Sequence, residues 1–161
     1  MSELAYVAVV GPGEASPETN EIAEQLGGDL ARRGAIVVCG ALGGAMEAAC
    51  RGAKSAGGLT VGILPGLDRS AANEHVDVAI PTGLGELRNG LIVRAADVVV
   101  AVRGEFGTLS EISFALKTGV PVVGIDTWEL FKEGRASEAI VRVETAAEAA
   151  EAAVALARRR P

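Results

Sequence analysis

Val98-Val99-Val100-Ala101-Val102-Arg103-Gly104-Glu105-Phe106-Gly107-Thr108-Leu109-Ser110-Glu111 runs from an unbroken apolar stretch through a glycine-bearing turn into a helical pattern. The apolar run reads as a buried strand, and the helix is expected over Leu109 to Thr118. A strand, a glycine turn and a helix in this order leave free backbone N–H groups and the positive end of a helix dipole beside whatever binds there. Gly104 and Gly107 let the backbone approach a ligand closely. Thr108 can cap the helix or donate to a phosphate, and Glu111 falls one helical turn inside the same pocket. The segment points to a phosphate-bearing small molecule with a carboxylate close by. Thr108 and Glu111 also have the spacing of a capping box, which needs no ligand. Thr145 and Glu148 repeat that spacing at the start of an Ala-rich C-terminal helix.

Outward from this segment, short β-branched runs alternate with helical stretches, the signature of parallel strands joined by crossover helices. Strands are expected near Leu4–Val10, Ala35–Cys39, Leu59–Leu64, Val76–Ile80, Asp97–Val102, Val120–Ile125 and Ala139–Val143. Ser16-Pro17 supplies an N-cap and a first-turn proline, and Gly34 stops that helix after Arg32 and Arg33. Further helices are expected at Gly44–Ala56, Leu84–Ala95, Trp128–Phe131 and Ala146–Arg159. The chain thus reads as one α/β domain over residues 1–161, a Rossmann-like, doubly wound and mostly parallel sheet of about seven strands. Ligands of such sheets bind outside the carboxyl ends of the strands.

Two more glycine turns follow strands, Gly11-Pro12-Gly13 and Gly40-Ala41-Leu42-Gly43-Gly44, so Gly11, Gly13, Gly40, Gly43 and Gly44 join the candidate ligand-binding residues. The first turn lacks the third glycine of a dinucleotide fingerprint, and an acidic residue about twenty positions on is absent. No glycine turn is followed by Lys-Ser or Lys-Thr, which sets aside P-loop ATP hydrolysis.

Composition narrows the class. With 161 residues, 49% of them hydrophobic, the chain can build a real core without staples. Aromatic residues make up 3%, which leaves no stacking platform for single-stranded nucleic acid. A formal net charge of −6 and a pI near 4.9 argue against a phosphate-backbone binder. The basic run Arg158-Arg159-Arg160 complements the negative end of the last helix. Cys39 and Cys50 have neither zinc nor CxxC spacing and read as buried small apolar residues. No signal-peptide pattern opens the chain and no apolar stretch is long enough to span a bilayer, so a cytoplasmic protein without membrane or nucleic-acid partners is expected. His75 falls in a polar loop, Asp68 to Glu74 and onward, that can cover a ligand. Trp128 and Phe131 read as core or interface anchors.

The Gly43-Gly44 turn with Met46, Arg88 on a helix, and Gly104-x-x-Gly107-Thr108-x-x-Glu111 after the next strand together resemble the Lonely Guy family, long misannotated as lysine decarboxylases. The family signature is Pro-Gly-Gly-x-Gly-Thr-x-x-Glu with an arginine fifteen residues before its proline, the separation of Arg88 from Arg103 here. Asp97 and Gly119-Val120-Pro121-Val122-Val123-Gly124 extend the match. Arg103 stands in place of the proline, Glu105 in place of the second glycine, and Asn89 in place of a lysine. This variant is more similar to the molybdenum cofactor carrier proteins and their bacterial relatives.

The resemblance implies a Rossmann-like homo-oligomer, a dimer or tetramer, holding a nucleotide or a phosphorylated pterin. Gly104, Gly107 and Thr108 would hold the phosphate. In the enzymes of the family the arginine and glutamate act in cleaving the N-glycosidic bond of nucleoside 5′-monophosphates, and those catalytic roles fall on Arg88 and Glu111. The carrier branch implies a molybdenum cofactor as cargo without turnover. Neither role requires a resident metal or cofactor, and no lysine sits in a pattern expected to hold pyridoxal phosphate. A third reading, a DNA-associated protein like more distant relatives of the fold, is weakened by the acidic charge.

Overall fold

In the computed structural model, residues 4–159 are described; Arg160, the last of the C-terminal basic run, lies outside them. In chain order the elements are β1 (Tyr6–Val10), α1 (Pro17–Arg32), β2 (Ile36–Cys39), α2 (Ala45–Ser55), β3 (Thr60–Leu64), a 3-10 turn (Arg69–Ala71) and β4 (Val78–Pro81). A second 3-10 turn (Gly85–Arg88), α3 (Asn89–Arg94), β5 (Val98–Val102), α4 (Phe106–Thr118) and β6 (Val122–Ile125) follow. The hairpin β7 (Phe131–Lys132) and β8 (Arg135–Ala136) precedes β9 (Ile140–Val143) and α5 (Ala146–Ala157).

Seven strands form one sheet in the order β4-β3-β2-β1-β5-β6-β9, and every pair is parallel. The order in which successive strands are added reverses between β1 and β5, the switch point at which such folds open a crevice. All five residues of β5 are fully buried. Burying each valine is worth about 1.5–3 kcal/mol, which makes this strand the centre of the core. Alternation divides it between two layers. Val98, Val100 and Val102 pack with α1, α2 and α5, whereas Val99 and Ala101 pack with Ile92 and Val93 of α3 and Ile112 and Ala115 of α4.

The abundance of Gly and Ala finds its reason where α1 crosses α2. A Cβ on Gly27 would collide with the Ala49 carbonyl, and one on Gly52 with the Glu24 carbonyl, so the two backbones touch. Ser16 accepts a hydrogen bond from Thr19 N (3.2 Å) with Pro17 in the first turn of α1, as its sequence requires.

Four expectations are corrected. Helix α4 begins at Phe106, one turn before Leu109, and its N-cap is Glu105 without a side-chain cap. The expected helix at Trp128–Phe131 is absent. Phe131 instead starts a hairpin whose turn residues Glu133 (φ 52°) and Gly134 (φ 75°) both take left-handed conformations. A Gly-bearing two-residue turn of this kind matches strand twist and overrides a four-residue helical pattern. Phe131 is exposed and anchors nothing in the core, while half-buried Trp128 stacks at a tilt on Phe106 (5.5 Å between ring centroids). The helix expected from Leu84 to Ala95 splits into the second 3-10 turn and α3.

Candidate functional site: a cavity at the switch point

A cavity of about 870 Å³ opens beyond the carboxyl ends of β1, β2 and β5. The sequence-derived candidates Gly11, Gly13, Gly40, Arg88, Gly107, Thr108 and Glu111 all line it. Gly43, Gly44 and Gly104 are not among the lining residues; they shape the turns behind it. Gly44 (φ 62°) is the N-cap of α2, where a Cβ would strike the Pro12 carbonyl. Gly104 (φ 109°) takes a conformation that side chains rarely adopt, and a Cβ there would collide with the Thr108 side chain. Gly107 differs from both, because a Cβ at that position meets nothing within 4 Å. Protein packing does not demand a glycine here, and a glycine in a helix costs about 0.5–1 kcal/mol relative to alanine.

At the start of α4 the N-cap makes no side-chain hydrogen bond, so the first N–H groups of the helix are available to an anion. Thr108, 3% exposed, stands in this first turn and makes no side-chain hydrogen bond among the described residues. Glu111 follows on the same face, 7% exposed, and likewise has no hydrogen bond or ion pair among the described residues. Burial pushes its carboxyl up to about 8, against the pull of Arg88 and with a smaller push from Cys39.

Arg88 closes the opposite wall. Its guanidinium is 9% exposed, donates from Nη2 to the Gly40 carbonyl (3.3 Å), and leaves buried Nε without a partner. A Cβ on Gly40 would come within 2.8 Å of Nη2, so glycine at that position makes room for the guanidinium. Burial lowers the Arg88 pKa, Glu111 partly opposes the shift, and the group stays charged. Buried polar groups are as a rule satisfied. Arg88 Nε is not, and the Thr108 and Glu111 side chains, unbonded among the described residues, line the same cavity, where a ligand could supply partners.

Asn89 has a part that its position alone did not announce. Its side-chain oxygen accepts from Arg88 Nη1, its Nδ2 donates to Ser110 Oγ (3.2 Å), and Ser110 Oγ donates to the Gly107 carbonyl (2.7 Å). This relay ties the arginine to the first turn of α4. An amide can both accept and donate, which the lysine of the family signature cannot. Phe106, Leu87, Met46 and Phe114 complete an apolar wall.

Arg103 and Glu105 leave the first turn of α4 clear. Arg103 (φ 50°) reaches away from the cavity to Glu18 and Asp126, each at 3.1 Å, and to Thr19 Oγ1 at 2.8 Å. It staples the end of β5 to α1 and to the residue after β6. Glu105 is exposed, does not line the cavity, and pairs with no arginine among the described residues; its carbonyl accepts from Trp128 Nε1 (3.2 Å). Asp97 accepts from Tyr6 N (2.9 Å) and so fixes the start of β5 against β1.

His75 lies off the cavity wall, with Nε2 3.9 Å from Glu74 Oε1. Glu47, Glu74 and His75 bring three potential metal-ligand atoms within 4.8 Å of one another, with no further sign of a ligand there. Cys39 and Cys50 are buried free thiols with their sulfurs 3.4 Å apart. No helix of the described residues is long and apolar enough to cross a membrane.

This fold has counterparts in known proteins. The fold superposes on the molybdenum cofactor binding protein of Rippkaea orientalis with a TM-score of 0.87 and 34% identity, covering 97% of this chain and 99% of that one. It superposes on the molybdenum cofactor carrier protein of Chlamydomonas reinhardtii with a TM-score of 0.84 and 32% identity, covering 96% and 98%. A cytokinin riboside 5′-monophosphate phosphoribohydrolase of Mycobacterium tuberculosis is 33% identical over 130 residues, 74% of this chain and 68% of that protein. The signature read from Arg88 to Glu111, the all-parallel sheet around it and a match of residues 4–154 to the family's model place the chain in the SLOG cluster4 family.

Proposed function

We propose that this protein binds a phosphorylated small molecule, a nucleotide or a molybdopterin-type cofactor, and holds it as a carrier. The phosphate sits at the first turn of α4, on the N–H groups around Gly107 and the Thr108 hydroxyl, with Arg88 opposite. The observation that carries this reading is that Arg88, whose buried Nε is unpartnered among the described residues, lines one cavity with the uncapped first turn of α4. A cavity of about 870 Å³ suits a ligand of nucleotide size, and its apolar wall suits a flat heterocycle. The carrier assignment draws its support from the two molybdenum cofactor proteins of like fold. The exposed apolar residues Leu84, Leu87, Leu91 and Phe106 support association with a second copy as a homodimer or homotetramer, to be measured by light scattering. Two free thiols support a cytoplasmic setting.

A second reading has its own support. Glu111 is buried, proton-bearing at neutral pH and placed with Arg88 in one cavity, and a 33% identical relative is a phosphoribohydrolase. In this reading Glu111 and Arg88 cleave the N-glycosidic bond of a nucleoside 5′-monophosphate. The discriminating experiment incubates the purified protein with nucleoside monophosphates, assays release of free base, and titrates the same panel by calorimetry. Binding without release supports the carrier; release that disappears in Glu111→Gln establishes the hydrolase instead. Absence of binding by every nucleotide and by a pterin phosphate overturns both.

A further inference from the structure

The anion turn and Glu111 occupy one face of one helix, and this juxtaposition sets a problem that the family signature does not resolve. Glu111 is three residues beyond Thr108, buried, and without a cation bonded to its carboxyl among the described residues. The charged and titratable groups around it are few. From the second 3-10 turn, Arg88 has committed its Nη atoms to Gly40 and Asn89, and Glu86 adds a carboxylate to the cavity wall. From the end of β2, Cys39 lies beneath with its thiol against Cys50. From α3, Arg94 stacks over the Phe114 ring (5.6 Å from the centroid). The glycine turn after β1 contributes no charge to the cavity.

A phosphate brought to this helix end would therefore meet an acidic side chain one turn away, with a single arginine to balance both. An ionised carboxylate repels that anion, whereas a carboxylic acid does not and can donate a hydrogen bond. We propose that the site takes up a proton together with its ligand: Glu111 enters the complex as the neutral acid and donates to an oxygen or ring nitrogen of the ligand. The inference rests on the reading of the cavity as a phosphate site. The ligand is thereby narrowed to a phosphorylated heterocycle with a hydrogen-bond acceptor about one helical turn from its phosphate. The free-state position of Glu111, pushed up to about 8, places the effect in a usable range.

The test is calorimetric titration of the whole protein with adenosine 5′-monophosphate between pH 7 and 9.5, in buffers of differing ionisation enthalpy. Phosphate monoesters lose their second proton near pH 6, so the ligand's own charge scarcely changes over this window. Affinity is expected to fall about thirtyfold from pH 7 to pH 9.5, with net proton uptake on binding above pH 8. In Glu111→Gln both the slope and the uptake should vanish, and in Cys39→Ala both should persist. A folded Glu111→Gln that still takes up a proton, or loss of the slope in Cys39→Ala, overturns the inference. If Cys39→Ala does not fold, Cys39→Ser replaces it. Binding that is flat across the pH range keeps the site and overturns the proton coupling alone; no binding at any pH, by the nucleotide or by a pterin phosphate put in its place, removes the site and the coupling with it.

Discussion

Thr108 and Glu111 in α4 are separated by the same three residues as Thr145 and Glu148 in α5, and the two pairs do different things. In α5 the threonine is the N-cap. Its Oγ1 accepts from Glu148 N (3.2 Å), and the Glu148 carboxylate accepts from Glu144 N (3.0 Å). Both side chains are exposed, and the pair satisfies backbone donors that would otherwise be orphaned. In α4 the same spacing lies one turn deeper. Glu105 is the N-cap, so Thr108 and Glu111 are inside the helix, both buried, neither bonded to the backbone of its own first turn. A shift of three residues turns a self-sufficient cap into a pair of unsatisfied polar groups facing a cavity. Spacing alone does not distinguish a structural motif from a site; the position of the first helical residue does.

The largest expected effect that separates the pairs is on binding. Gly107→Leu fills the cavity at the second position of α4 and should weaken nucleotide affinity at least about a hundredfold, the loss of two charge-assisted hydrogen bonds. Ala147→Leu at the same helical position of α5 should leave affinity unchanged, as titration of the two variants would show. Equal affinities in both would remove the turn of α4 from the site.

Next comes the effect of pH on stability. Glu111 is pushed up to about 8, so between its ordinary value of 4.5 and that point the folded state keeps a proton the unfolded chain has released. Its contribution is therefore favourable at low pH and is lost as pH rises from 4.5 to 8. Glu111→Gln should remove that slope and raise the melting midpoint at pH 8 by about 4 °C or more, at about 2–4 °C per kcal/mol for a chain of this size. A lower midpoint at pH 8 in the variant would show that the carboxylate is satisfied in the folded state.

The smaller effects concern capping. Thr145→Ala should cost about 1 kcal/mol and lower the midpoint by about 2–4 °C. Thr108→Ala loses no cap, and its thermal scan should stay nearer to wild type while affinity falls. Gly107→Ala, last in size, should stabilise the free protein by about 0.5–1 kcal/mol, since no atom of the protein stands within 4 Å of the new Cβ. A destabilised Gly107→Ala would mean that the glycine is there for the fold.

The sheet was legible because seven β-branched runs separated by helical stretches leave little topological freedom, and all seven expected strands occur. The carboxyl ends of the strands, and with them the three glycine turns, could be placed from the same pattern. The start of α4 was not legible, because Glu105-Phe106-Gly107 carries neither a strong N-cap nor a proline, and only the tertiary turn sets its onset. The hairpin after β6 was missed because Trp128 to Phe131 has a helical spacing of apolar residues, whereas the informative residues were Glu133 and Gly134. The roles of Asn89 and Ser110 depend on two helices meeting, a contact no single stretch of sequence encodes. The outward path of Arg103 depends likewise on Glu18 and Asp126, 85 and 23 residues away in the chain.

The contact between the backbones of α1 and α2 bears on how a ligand gets in. With Gly27 against Ala49 and Gly52 against Glu24, the two helices have no side-chain layer between them that could repack, so they shift only as one piece. Met46, on the cavity wall, belongs to that piece, while Arg88 belongs to a short 3-10 turn followed by a six-residue helix. The arginine side is the one expected to move against the glycine-locked side, and amide hydrogen exchange should be slow through α1 and α2 and fast from Gly85 to Arg94.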